Sequence, residues 1–105
     1  MTLNMKNKLE VYVLQGCDKC KKLKATLDNL KIKYESIPCE EYPNMCDNIE
    51  NITGVDSYPM VNLNGKIYYI AEKHSDIGKI KVISENLSTK GMYSIDNIID
   101  AIKNY

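Results

Sequence analysis

A chain of 105 residues is one small domain and leaves no room for two independent ones. Hydrophobic residues make up 44% and charged residues 27%, with five Gly and three Pro, an ordinary globular composition. Fourteen basic residues, all lysine, balance fourteen acidic ones to a net charge of zero, so no chain-wide basic field draws in nucleic acid or anionic lipid.

Residues 1–7 read as a frayed tail and residues 8–105 as the domain. Leu9 to Leu14 form a β-branched and aromatic run that suits a buried strand, ending at Gln15-Gly16. A helix then opens at Cys17, with Cys20, Leu23, Leu27 and Leu30 on one face of a 3.6-residue period. Lys33 to Ile37 alternates with period two until Pro38, giving a second strand and a β-α-β unit with parallel strands. Pro43 suits the first turn of a second helix, Met45, Ile49 and Ile52 keep helical spacing, and Gly54 is placed to stop it. Tyr58 to Leu63 and Lys66 to Ile70 flank Asn64-Gly65, the signature of a hairpin with a type I′ turn. Of the adjacent Tyr68 and Tyr69, strand spacing predicts one ring inward and one outward. Lys79 to Ile83 alternates and predicts an extra edge strand between polar stretches at 72–76 and 84–91, within a segment too long for a plain loop. Ser94 is placed to cap a last helix whose Ile95, Ile98, Ile99 and Ile102 share a face.

No apolar run approaches the roughly 18 residues of a membrane span, and the N-terminus lacks the apolar core of a secretion signal. A complete cytoplasmic protein is expected. In a reducing compartment the cysteines at 17, 20, 39 and 46 are more often catalytic, metal-binding or inert than scaffolding. Cys17-Asp18-Lys19-Cys20 is the only C-x-x-C. At a helix N-terminus the unpaired N–H groups and the positive dipole end favour a thiolate on Cys17, while Cys20, one turn further in, is more buried. Two buried small residues or half a zinc site are the alternatives; the zinc site wants a second pair, and Cys39 and Cys46 have the wrong spacing for a standard one. Cys39 and Cys46 themselves read as buried, inert thiols in preference to an accessory disulfide. His74, in a charged turn, reads as a solvated residue.

The element order, with C-x-x-C opening the first helix and Tyr58-Pro59 before the hairpin, resembles the glutaredoxin branch of the thioredoxin fold. The resemblance implies an α/β domain of order β-α-β-α-β-β-α, with a mixed four-stranded sheet, helices on both faces and an insertion near residues 72–90. It implies dithiol–disulfide exchange, with Cys17 attacking and Cys20 resolving the mixed disulfide. It also implies a cis Pro59 facing the C-x-x-C, with the Tyr58 main chain binding the substrate and its ring over the sulfur. Lys19, within a lysine cluster at 19–24, would lower the Cys17 pKa or steer an anionic partner; a solvated helix face is the plainer reading of that cluster.

Two usual glutathione contacts of the family are replaced. Leu14 stands where a lysine commonly precedes the motif, and no Gly-Gly-x-Asp turn follows Ile70-Ala71. A partial match at Gly91 to Asp96 offers Ser94 and backbone N–H groups to a carboxylate. The resemblance therefore implies either glutathione as co-substrate or the related branch reduced by thioredoxin reductase, which donates electrons to ribonucleotide reductase. Disulfide-containing proteins are the expected substrates, with no tightly bound cofactor, no metal and a monomeric state. A non-enzymatic module, either an iron–sulfur carrier using Cys17 with glutathione or a docking domain, is the competing class.

Overall fold

The computed structural model describes residues 8–105, and the tail expected at residues 1–7 lies outside the described residues. The elements run β1 (Leu9–Val13), α1 (Asp18–Asn29), β2 (Glu35–Pro38), α2 (Pro43–Thr53), β3 (Met60–Leu63) and β4 (Lys66–Ile70). A 3-10 turn (His74–Asp76), β5 (Ile80–Ser84), β6 (Leu87–Met92) and α3 (Ile95–Lys103) follow.

β2 lies parallel to β1, as a crossover through α1 requires, while β1 with β3 and β3 with β4 pair antiparallel. Pro38 is tolerated in β2 because that strand forms one edge of the sheet. Asn64 and Gly65 both take positive φ, 53° and 94°, as a type I′ turn demands. A Cβ at Gly65 would also fall on the carbonyl oxygen of Asn86.

The sheet has six strands in the order β2-β1-β3-β4-β6-β5, so the expected four-stranded count is corrected while the thioredoxin-like order of the first four holds. Both added strands come from the predicted insertion. β5 matches the expected edge strand; β6 was concealed by its polar sequence, Leu-Ser-Thr-Lys-Gly-Met. It is parallel to β4 on one side and antiparallel to β5 on the other, so ladder hydrogen bonds rather than an apolar pattern define it. Only Thr89 among its polar side chains is fully buried.

The register places Val11, Val61 and Tyr68 on one sheet face and Tyr12, Met60 and Tyr69 on the other. All six are buried, so both faces are covered. α1 packs beside α3, and Lys22 on α1 reaches Asp96 on α3 at 3.6 Å. On the other side Thr53 of α2 brings its Oγ1 to 3.6 Å from Met60 Sδ. The inward-outward split expected for Tyr68 and Tyr69 is thereby corrected: with two covered faces, both rings are buried.

The helices follow their patterns with two shifts. On α1, Cys20, Leu23 and Leu27 are buried, whereas Leu30 has become the C-cap and is 43% exposed. On α2 the buried residues are Cys46 and Ile49, while Met45 is exposed. Gly54 ends α2 at φ 78° and donates its N–H to the Glu50 carbonyl at 2.7 Å, the left-handed stop its position suggested.

Candidate active site

The site begins with the turn that joins β1 to α1. The Cys17 N–H donates to the Leu14 carbonyl at 3.3 Å, and Gly16 between them has φ 78°, which suits the third position of a type II turn. This delivers Cys17 as the N-cap of α1. Its Sγ accepts from the Cys20 N–H at 3.1 Å, taking the place that a serine or aspartate oxygen holds at most helix starts.

Cys17 and Cys20 are joined in a disulfide, with Cα atoms 5.2 Å apart. Cys17 is partly exposed, and Cys20 is only 2% exposed. The pair is therefore asymmetric: one sulfur lies at the surface and in the positive field of the helix end, and the other is shut into the core. Lys19 is exposed on the first turn of α1.

The Tyr58-Pro59 peptide is cis, as the resemblance implied, and it meets the disulfide from the opposite side. The Tyr58 carbonyl oxygen lies 3.6 Å from Cys17 Sγ. The Tyr58 ring is buried and its hydroxyl donates to the Glu50 carboxylate of α2. Burial, then the Glu50 carboxylate, pushes that hydroxyl well above the ordinary phenol range. The loop carrying Tyr58 is thus anchored through its side chain, leaving the carbonyl at the sulfur.

Ser94 and Gly91, named with the site by the resemblance, each have a local partner in the structure. Ser94 caps α3, with its Oγ accepting from the Asn97 N–H at 3.4 Å and donating to Asn97 Oδ1 at 2.9 Å. Gly91 is buried in β6, where a Cβ would fall on the Asp76 carbonyl oxygen. Its lack of a side chain serves close packing of the insertion. Beside the Tyr58 loop, a shallow open depression of about 460 Å³ is lined by Glu50, Asn51, Gly54, Val55, Asp56 and Glu72. His74 is exposed, as expected.

The reading of Cys39 and Cys46 as inert thiols is corrected. They form a second disulfide with Cα atoms 5.6 Å apart. Hydrogen bonds from the Glu41 and Tyr42 N–H groups to the Pro38 carbonyl, at 3.0 and 3.1 Å, fold the chain back so that the first turns of α2 lie against the end of β2. The prolines at 38 and 43 were the signal for that reversal. Glu40, which sequence reasoning passed over, accepts from the Gln15 N–H at 2.8 Å, and this bond holds its carboxyl below the usual carboxylate range. Among the described residues no group of three or more potential ligands is placed to hold a metal ion.

A family model described as Glutaredoxin matches residues 9–68, more than half of the chain. The chain belongs to the glutaredoxin family. A search of curated proteins returned no match. In this glutaredoxin the matched span carries the C-x-x-C, the cis proline and the hairpin turn into β4, and the segment with β5, β6 and α3 follows it. The family is one of thiol–disulfide oxidoreductases, and the Cys17–Cys20 disulfide agrees with that class. No helix among the described residues is long and apolar enough to cross a membrane.

Proposed function

We propose that this glutaredoxin reduces disulfides of proteins, or mixed disulfides with glutathione, through Cys17 and Cys20. The observation that carries the reading is their asymmetry beside Tyr58-Pro59. The partly exposed Cys17 sulfur sits at a helix N-terminus, 3.6 Å from the Tyr58 carbonyl, and the Cys20 sulfur lies behind it. In the reduced protein the Cys17 thiolate attacks one substrate sulfur, and the other leaves as a thiolate and takes up a proton. Cys20 then loses its proton and attacks Cys17, expelling the second substrate thiolate. Two electrons have passed, and the protein is left as the disulfide described above. The backbone of Tyr58 lines the extended substrate segment, and Lys19 at the rim favours an anionic partner.

The electron source is glutathione or thioredoxin reductase, and the surroundings favour the second. The depression beside the Tyr58 loop is lined by Glu50, Asp56 and Glu72, carboxylates that oppose those of glutathione. Gly91 is closed by Asp76, and Ser94 is engaged as a cap. A protein substrate such as ribonucleotide reductase fits that branch. We place the protein in the cytoplasm, as a monomer without a tightly bound cofactor.

The test is coupled turnover of a small mixed disulfide, comparing glutathione plus glutathione reductase with thioredoxin reductase. Cys17→Ser abolishes turnover with either reductant. Cys20→Ser blocks protein-disulfide reduction and spares exchange with a glutathione mixed disulfide. Equal loss in both variants contradicts the assigned order. Activity with neither reductant rejects the enzyme; a visible chromophore after anaerobic purification would then identify an iron–sulfur carrier.

A further inference from the structure

The turn that presents Cys17 is not held by its own hydrogen bond alone. Its second residue, Gln15, donates its N–H to the Glu40 carboxylate at 2.8 Å, and the strand end before it is bound by the Cys39 N–H to the Val13 carbonyl at 2.9 Å. Both partners lie in the reversal between β2 and α2. That reversal is closed covalently by Cys39–Cys46, and both residues of the pair are buried. A continuous chain of contacts therefore runs from the second disulfide, through Glu40, to the peptide plane two residues before the attacking sulfur. Since Cys17 is both the last residue of the turn and the cap of α1, tilting the Gln15 peptide moves its sulfur relative to the helix N–H groups.

We propose that Cys39–Cys46 and Glu40 form a positioning bracket for Cys17, so that the state of the second disulfide sets the reactivity of the first cysteine. The inference rests on the assignment of Cys17 as the reactive thiol. Reduction of the bracket takes two electrons and two protons from a dithiol, which closes to its own disulfide; the Cys39–Cys46 bond breaks and two thiols remain. The covalent closure is then gone, and the reversal carrying Glu40 is held by hydrogen bonds and packing alone. The turn loosens and Cys17 loses part of its alignment with the helix end. Glu40 is a positioning residue, and its negative charge is not the active element, because a carboxylate near a thiolate opposes its ionisation.

The experiment measures alkylation of Cys17 by iodoacetamide at pH 7 in the full chain carrying Cys20→Ser, with mass analysis verifying that Cys39 and Cys46 stay paired. Loss of helix-end stabilisation moves a thiol toward its free pKa of about 8.5, so Glu40→Ala slows alkylation about three- to tenfold. Glu40→Gln, which keeps the acceptor and removes the charge, rescues the rate to within about twofold of the parent. Cys39→Ser with Cys46→Ser slows it like Glu40→Ala, and combining all three substitutions adds nothing further, as expected of groups acting through one contact. A parent-like rate in Glu40→Ala overturns the proposal, whether or not the double serine variant folds well. So do multiplying effects in the combined variant, or acceleration in both Glu40 variants. Alkylation needs no disulfide substrate, so failure of the bracket and failure of the oxidoreductase reading are told apart.

Discussion

Gly91→Ala isolates what the insertion asks of the glycine that lies where β6 meets the 3-10 turn. Gly91 does not have positive φ, so alanine meets no backbone penalty there; the obstacle is space. An added Cβ would fall on the Asp76 carbonyl oxygen and lie 3.1 Å from its carbon and 3.2 Å from the Ala71 Cβ. The oxygen belongs to backbone and cannot rotate aside, so the segment ending at the 3-10 turn must move away from β6 by about 1 Å. Two bonds cross that gap: Gly78 N–H to the Gly91 carbonyl at 2.7 Å, and Gly91 N–H to the Lys79 carbonyl at 3.2 Å. Overpacking costs roughly 1–3 kcal/mol and each of the two weakened bonds about 1 kcal/mol, so the loss is about 3–5 kcal/mol. For a domain of this size that lowers Tm by on the order of 15 °C. The reference variant is Gly54→Ala, where φ is 78° and nothing lies within 4 Å; left-handed strain alone costs about 1 kcal/mol there. Urea unfolding of both variants, followed by circular dichroism, gives the comparison. A Gly91→Ala protein as stable as Gly54→Ala would refute the steric reasoning. A folded Gly91→Ala protein with a selective rise in KM for glutathione would restore a ligand role to this glycine.

Ser94→Ala removes the cap of α3 and should cost about 1 kcal/mol in urea unfolding, leaving kcat with a protein disulfide unchanged; a stable variant with impaired glutathione-dependent turnover would instead make Ser94 a ligand contact. The Tyr12 and Tyr58 hydroxyls are held above the ordinary value of 10.0 by burial first, and then by Glu10 and Glu50 respectively. Because the folded values are raised, their contribution to stability is complete below pH 10 and is lost as pH rises through the folded values. Alkaline titration at the phenolate absorbance band should release those two protons last, together with unfolding, and all eight tyrosines ionising alike in a folded protein would contradict this.

Local pattern alone specified the elements whose chemistry is close in sequence. The helix after Cys17, the Asn64-Gly65 turn, the Gly54 stop and the Ser94 cap are set by side-chain period and by what each residue does to its own backbone. The asymmetry of Cys17 and Cys20 follows from the same logic, since three residues of helix carry the second sulfur from the rim to the core. Tertiary contacts decided the rest. β6 has too polar a sequence to announce itself and exists because β4 and β5 supply both ladders. Tyr68 and Tyr69 are both buried because the sheet is covered on each face, a fact about other elements. Pairing of Cys39 with Cys46 needs the chain reversal after Pro38 to bring α2 back against the end of β2, and the reach of Glu40 to Gln15 depends on where β2 ends relative to β1; no spacing along the chain encodes a distance across parallel strands.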